Sequence, residues 1–397
     1  MIFRSPFFFF TILLLASVGF FATDVYLPSF PAIQAEFQSS KSSVQLSLSL
    51  YLMGWALSQL FYGPLSDQIG RRKVVFLSLI LGLFGTFVCL VSPNIFFLVL
   101  GRILQGLGLG GSSVLFRVIL RDAYSGDELA HYGSFIAIST AVFMSMAPAF
   151  GGYIQHFLGW RFSFLFLILY IGGLFWAVWR FLPETNQHLN PSALQRKVLL
   201  GNYFHLITNP LFLGYAIVSS LVLGGLSAYL TASPFLLEKT LKLTPVQYGW
   251  LAWIIGGGFG LGGLCNLFLV KKMGRHRSLL VGIGAILASG LLMLFLALLG
   301  FFNLLVIMLP MAIFSLGASI SFSNAFAAAF QPFAKIAGSA GALYGCLQVL
   351  GGSLASGLMS ALQEETQMPL ALFLTLVGIF SYLSQYWVFS HAKKHSL

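Results

Sequence analysis

Twelve apolar segments, separated by short polar stretches, follow one another along the chain. A helix needs about 20 mostly apolar residues to cross the hydrocarbon core of a bilayer, and each segment has roughly that length. The pattern predicts twelve transmembrane helices, here spans 1 to 12, near residues 7–30, 44–64, 74–92, 95–116, 132–155, 162–182, 210–232, 246–270, 279–300, 303–325, 338–362 and 369–390.

The longest polar stretch divides this pattern in the middle. It extends from Pro183 to Asn209 and leaves six segments on either side. Two groups of helices around a site near the membrane midplane are typical of secondary transporters. We therefore predict an all-α membrane protein of two six-helix bundles, residues 1–182 and 210–397, joined by a cytoplasmic linker at 183–209.

Composition agrees with the segment pattern. Of the 397 residues, 8% are charged and 58% are hydrophobic, and the mean hydropathy is +0.90. A soluble domain carries roughly 25% charged residues, so most of this surface does not face water. The first segment follows Arg4 as in a signal peptide, but it lacks a small-residue cleavage site and leads directly into further segments. We expect a multi-pass protein that retains its first helix.

The net charge of +11 indicates membrane topology and not a nucleic-acid partner. Lys and Arg accumulate in cytoplasmic loops, and most of them fall on one side of the predicted membrane. A nucleic-acid surface would need them on one folded face. Both termini are therefore predicted to be cytoplasmic. That side holds Arg4, Arg71, Arg72, Lys73, Arg117, Arg121, Arg180, Arg196, Lys197, Lys271, Lys272, Arg275, Arg277, Lys335, Lys393 and Lys394, and the other side holds Lys41, Arg161, Lys239 and Lys242.

Two charged residues remain deep inside predicted spans, Asp24 in span 1 and Arg102 in span 4. Charges at membrane depth are costly and generally mark ion or proton pathways. Burial favours the protonated form of a carboxyl group, which suits a residue that binds and releases protons. Arg102 stays charged, so it pairs, faces a wet cavity or tunes a nearby acid; the alternative is a structural hub for backbone carbonyls. Gln105, one turn away, either contacts substrate or satisfies Arg102.

Asp24 also has an alternative interpretation, a position at a helix end near the membrane surface. Pro28 and Pro31 follow it closely, and proline interrupts helices. The apolar spacing of Phe30 and Ile33 instead predicts that the helix continues beyond the prolines, which places Asp24 deeper.

The segment from Gly63 to Lys73 reads G-P-L-S-D-Q-I-G-R-R-K and connects spans 2 and 3. Its two glycines permit a tight turn between helices, and a carboxylate beside cations can form a charge-assisted contact. The segment resembles, at every defined position, the G-x-x-x-D-x-x-G-R-R-K loop of the major facilitator superfamily. A loop that only anchors topology would explain the three cations but not Asp67.

This resemblance implies a gate that holds one conformation. In the superfamily, the acid that matches Asp67 approaches the start of helix 11, where the helix dipole favours an anion. The matching arginines pair with an acid after helix 4, for which Asp122 is the candidate. The gate residues implied in this region are Gly63, Asp67, Gly70, Arg71, Arg72 and Asp122.

Further elements narrow the resemblance to the Bcr/CflA group of drug:proton antiporters. The T-D-V-Y-L-P run at 23–28 and the Arg121-Asp122 pair are similar to elements of that group, and R-I-L-Q-G at 102–106 resembles its helix 4 element. A-P-A-F-G-G at 147–152 resembles the helix 5 antiporter element, with Ala147 in place of its first glycine. The resemblance adds Pro148, Gly151 and Gly152 to the gate and gives Arg102 a role in coupling.

The resemblance implies a proton-coupled antiporter of the bacterial inner membrane, with Asp24 and Arg102 as coupling residues. It would export small amphiphilic molecules, either drugs or an endogenous metabolite such as a siderophore. The alternative is a symporter or uniporter that imports a small metabolite. The residues that could line a substrate cavity, each equally compatible with simple packing, are Tyr26, Gln105, Tyr51, Trp55, Tyr229, Trp253, Tyr344 and Gln348.

The sequence indicates neither an enzyme nor a bound cofactor. Residues 106–111 and 258–263 fit G-x-G-x-x-G, but the dinucleotide fingerprint needs a preceding strand, whereas such glycines inside spans allow close helix packing. The sequence contains no Walker A loop, metal-ligand spacing or catalytic constellation. We expect protons as the coupling ion, no cofactor or metal, and a monomer whose partners are a small-molecule substrate and the lipid bilayer.

Overall fold

The computed structural model describes residues 5–187, 189–191, 193–362 and 366–395. Arg4 lies outside these ranges, and the side chains of Arg196, Lys335, Lys393 and Lys394 are likewise outside the described part. Within it the chain forms helices α1 Pro6–Asp24, α2 Phe30–Phe37, α3 Lys41–Ile69, α4 Arg71–Leu90, α5 Ile95–Ala123, α6 Gly126–Phe157, α7 Arg161–Phe181, α8 Arg196–Ile207, α9 Pro210–Ser233, α10 Pro245–Leu298, α11 Leu304–Phe330, α12 Ala337–Ala361 and α13 Met368–His395.

These helices account for the twelve predicted spans. By length and hydropathy, ten of the described helical segments could cross a membrane. The 54-residue α10 provides two crossings because the chain turns at Gly274, whose φ of 80° is outside the helical range. The more polar α3 provides the remaining crossing, α1 and α2 share span 1, and α8 lies in the linker. The prediction of an all-α membrane protein with the twelve-helix fold is confirmed.

Polar residues at the ends of the apolar runs start several of the helices. The side chains of Asn94 and Asn303 accept a backbone N–H at the beginnings of α5 and α11, at 3.2 and 3.1 Å. At α10, Thr244 and Gln247 form a reciprocal capping box. Each of these contacts satisfies a backbone N–H that the helix leaves free at its first turn.

Glycines allow the helices to approach closely within each half of the molecule. A Cβ at Gly106 would overlap the carbonyl oxygen of Tyr51 on α3, and a Cβ at Gly262 would overlap that of Leu316 on α11. The two glycine-rich runs therefore serve helix packing, as their position in apolar spans predicts. They place α5 against α3 in the N-terminal half and α10 against α11 in the C-terminal half.

The two halves meet along two helix pairs, α3 with α12 and α6 with α10. Ser49 and Ser353 donate to each other's backbone oxygens, both at 2.8 Å. On the other seam, a Cβ at Gly249 would lie 2.5 Å from the oxygen of Pro148. We call the side with the linker helix α8 the linker side and the opposite one the distal side. The linker side is the one predicted to be cytoplasmic.

Candidate functional site

Span 1 breaks at Asp24. An α-helix continuing through this point would need an N–H at residue 28 to bond to the carbonyl of Asp24, but Pro28 has none. Helix α1 accordingly ends at Asp24, a 3₁₀ turn spans Leu27–Ser29, and α2 resumes at Phe30. Both expectations for this region are therefore partly met, because Asp24 ends a helix and the span also continues beyond it to Phe37.

Asp24 is nevertheless inside the protein. Its residue surface is 3% exposed, and its Oδ1 atom is buried without a hydrogen-bond partner. The positive charge of Arg102 is near enough to attract the Asp24 carboxylate electrostatically. None of the described cations, however, lies within ion-pair distance of this carboxylate. An ionised carboxylate in such a position is strongly disfavoured because nothing replaces its hydration.

Arg102 is completely buried and is held by neutral groups. Its Nη1 donates to the carbonyl oxygen of Ala22 at 2.8 Å and to Oε1 of Gln105, while Nε and Nη2 lack partners. The guanidinium carbon lies 4.1 Å from the ring centre of Tyr26 and 3.9 Å from that of Tyr51. Two cation–π contacts offset part of the cost of burying this charge. Two unused donors leave the guanidinium able to bind a further acceptor.

The structure gathers the predicted cavity residues of the N-terminal half around Arg102. Tyr26, Tyr51 and Gln105 contact it directly, and Gln105 in turn donates to Thr86 Oγ1 at 2.9 Å. Trp55 lies against Tyr51, with ring centres 5.8 Å apart, and its Nε1 donates to Ser113 at 2.7 Å. Spans 1, 2 and 4 therefore build one polar and aromatic cluster with Asp24 at its edge.

The predicted cavity residues of the C-terminal half do not join this cluster. Tyr229 is buried and donates to Met308 Sδ at 3.6 Å, and Tyr344 is hydrogen-bonded to Ser219. Trp253 is 41% exposed beside Trp250, and Gln348 is half-buried. In this conformation the hydrogen bonds and ring contacts of Tyr229, Trp253 and Tyr344 are all made within their own half.

The A-P-A-F-G-G run on α6 packs directly against the break in span 1. A Cβ at Gly151 would overlap the carbonyl oxygen of Val25, the residue after Asp24, and a Cβ at Gly152 would overlap that of Pro245. The oxygen of Pro148 faces Gly249 on α10. These residues therefore join the Asp24 region to the distal contact between the two halves.

On the linker side, the G-P-L-S-D-Q-I-G-R-R-K loop forms a network of charges. Arg71 forms an ion pair with Asp67, and its Nε donates to Asp122 Oδ2 at 3.0 Å. Asp67 also lies at the start of α12, since a Cβ at Gly338 would be 3.9 Å from its Oδ2. Gly63 faces Ala342 of α12 at van der Waals distance. On the linker side, this loop therefore contacts both halves of the molecule.

Sequence reasoning missed Glu184 in this network. Its two carboxylate oxygens accept the backbone N–H groups of Arg71 and Arg72 at 2.9 and 3.2 Å, which caps the N-terminus of α4. Gly70 has a φ of 104°, and a Cβ there would lie 2.5 Å from Glu184 Oε2. The signal was a lone acid directly after span 6, on a side otherwise rich in cations. The guanidinium of Arg72 forms no ion pair with any of the described acids, and its Nη2 donates to the carbonyl oxygen of Trp179 at 2.7 Å.

Comparison with known proteins identifies this arrangement. A sequence model of the Major Facilitator Superfamily matches residues 9–356. The chain belongs to the Major Facilitator Superfamily. Multidrug resistance protein D of Escherichia coli is 30% identical over 93% of this chain and 92% of its own, and the bicyclomycin resistance protein homolog of Haemophilus influenzae is 28% identical over 94% of each. The xylose transporter XylE of E. coli, in a partially occluded inward-open conformation, covers 96% of the chain and 97% of its own at a TM-score of 0.72 and 14% identity, which shows the fold.

Membership in the superfamily makes this chain a multi-pass membrane transporter and not an enzyme. The structure places two further acids at the ends of helical segments long enough to cross a membrane. Glu36 lies in the helical segment Pro6–Phe37, where it pairs with Arg161 and accepts from Trp160 at 2.6 Å. Glu238 lies in the π-helical end of the segment Pro210–Thr240, and its Oε1 is buried without a partner. Both acids lie at the distal ends of their segments, as the sequence predicted, whereas Asp24 lies well inside one.

Asp67→Asn tests the gate of this superfamily member. We expect normal membrane insertion but transport reduced about two- to fivefold, because the loss of a carboxylate beside a cation and a helix N-terminus removes roughly 0.5–1 kcal/mol. Lys73→Gln is the matched control: it removes an exposed charge from the same loop. Initial transport rates, normalised to protein in the membrane, measure the effect. Equal rates for the wild type and Asp67→Asn would show that the loop only anchors topology.

Proposed function

We propose that this chain is a proton-coupled antiporter of the Bcr/CflA type that exports small amphiphilic molecules across the bacterial inner membrane. Its substrates would be drugs or an endogenous metabolite such as a siderophore. The names of the relatives support export of drugs, since they refer to multidrug and bicyclomycin resistance. The observation that carries the proton coupling is the buried, unpaired Asp24 at a helix break beside Arg102.

The proton step follows from the partners that the two residues have. Asp24 has no cation within ion-pair distance in this conformation, so its neutral form is preferred and it holds a proton. Arg102 binds the oxygen of Ala22, two residues before Asp24 on the same helix end. A small rearrangement of this end brings one of the unused Arg102 donors to the carboxylate. The resulting ion pair stabilises the charged form of Asp24 and releases the proton.

Transport then requires the site to open to one side of the membrane at a time. The two halves rock about the α3–α12 and α6–α10 contacts, as expected for alternating access between two bundles. Gly151 and Gly152 connect the Asp24 region to the distal contact, so rocking and the proton step move the same backbone. Bound substrate favours one arrangement and the proton favours the other, which yields exchange.

Membrane vesicles test this proposal. In inverted vesicles with an acidic interior, chloramphenicol, a neutral drug, should discharge the proton gradient only when the chain is present. Metabolite profiles of cells with and without the gene extend the search to native compounds. Export predicts that the cells lacking the gene retain the compound. Accumulation in right-side-out vesicles, with protons entering alongside the compound, would instead establish the importing symporter.

A further inference from the structure

Arg117 is a second cation that the structure places inside span 4. The sequence assigned it to a cytoplasmic loop, but α5 continues to Ala123, so Arg117 lies well within the helix. Ser113, one turn earlier, accepts the hydrogen bond of Trp55 from α3, and Val114 Cγ1 lies 3.8 Å from where a Cβ at Gly63 would be. This side of α5 therefore points to α3 and the boundary between the halves and not to lipid.

The residue surface of Arg117 is exposed on this side of α5, so the protein leaves an opening beside it. A guanidinium cannot discard its charge and is not tolerated against lipid, so this surface must face water or a ligand. None of the described acids forms an ion pair or hydrogen bond with Arg117. Within the described part of the chain, no acid therefore compensates this positive charge.

An aromatic wall from the C-terminal half adjoins this charge. Ala342 on α12 and Val114 on α5 would lie 3.6 and 3.8 Å from a Cβ at Gly63, so α12 runs beside this side of α5. Tyr344 follows Ala342 on α12 and is fixed by its hydrogen bond to Ser219. The rings of Phe326 and Phe330 lie 5.6 and 5.4 Å from that of Tyr344, and Phe326 is 43% exposed. Cation and wall come from opposite halves, so a ligand between them would contact both parts that move.

We propose that Arg117 and this aromatic wall bind amphiphilic aromatic anions, which makes such anions substrates of the transporter. The proposal rests on the function proposed above and adds a substrate class. A carboxylate or sulfonate matches the planar donors of a guanidinium, and a flat ring matches the exposed edge of the aromatic cluster. Arg102 is also positive and is held by neutral groups, so the cluster and the opening together favour a negative ligand.

Two ligands that differ only in charge test the site. Purified protein in detergent is titrated calorimetrically at neutral pH with 2-naphthoate, an aromatic carboxylate, and with 2-naphthamide, its neutral counterpart. We expect the wild type to bind naphthoate about tenfold more tightly than naphthamide, as a charge-assisted hydrogen bond allows. Arg117→Gln should bind both ligands within about twofold of each other. Arg117→Lys should keep part of the preference.

Arg121→Gln is the matched control, because Arg121 is an exposed cation one turn further along α5. It should retain the full preference for naphthoate. Retained binding of naphthamide shows that each variant is folded. A wild type without preference, an Arg117→Gln that keeps it, or an equal loss in Arg121→Gln would overturn the proposal. None of these results affects proton-coupled chloramphenicol transport in vesicles, so the two proposals fail independently.

Discussion

Asp24→Asn is expected to abolish transport driven by a proton gradient. Asparagine has nearly the shape of a protonated aspartate, so the broken end of α1 and its packing on Gly151 should persist. It cannot release a proton, however, and the exchange cycle stops with the site permanently neutral. Gradient-driven substrate movement in vesicles should fall to the level of vesicles without the protein, while the amount of protein in the membrane stays unchanged.

Glu36→Gln provides the control for this substitution. Glu36 belongs to the same span but lies at its distal end, where Arg161 and Trp160 hold it. Loss of this ion pair should alter stability modestly and leave the proton dependence of transport intact. Normal gradient-driven transport by Asp24→Asn would remove Asp24 as the coupling acid. Glu238, the other acid with an unpartnered buried oxygen among the described residues, would then be the next residue to test.

Much of the fold was predictable because membrane helices have a simple sequence signature. Twelve apolar segments of the right length were sufficient, but the break in span 1 was only an alternative interpretation of Pro28 and Pro31. The limits of the helices were harder to predict, since polar residues such as Arg117 and Glu36 can continue a helix when protein or water surrounds them. This is why Arg117 was assigned to a loop, and why its position inside α5 came only from the structure.

The site was predictable only in part because its contacts join residues that are far apart in the sequence. The motifs pointed to Asp24 and Arg102, which are charges inside apolar spans, and to Asp67, which is an acid in a basic loop. No local pattern links Glu184 to the start of α4, more than a hundred residues earlier in the chain. Nor can spacing distinguish Tyr51, which contacts Arg102, from Trp253, which lies exposed beside Trp250. Both are aromatic residues in apolar helices.

Gly152→Ala is expected to reduce transport at least about tenfold by forcing the distal contact between α6 and α10 apart. The added methyl group would overlap the backbone oxygen of Pro245, and backbone cannot rotate away as a side chain can. Overpacking of this kind costs about 1–3 kcal/mol, which shifts a two-state equilibrium by roughly fivefold to more than a hundredfold. The conformation described above should become rare, and the one with its distal side open should dominate.

A cysteine in place of Thr231 reports this shift. Thr231 is fully buried, and its carbonyl oxygen accepts from Gln45 across the two halves at 2.9 Å. With the three native cysteines replaced, a membrane-impermeant maleimide should label Thr231→Cys several times faster when Gly152→Ala is present. Gly173→Ala is the control, because no described atom lies within 4 Å of a Cβ at that position on α7. If Gly152→Ala changes neither labelling nor transport, the close approach of α6 to α10 does not control access to Asp24.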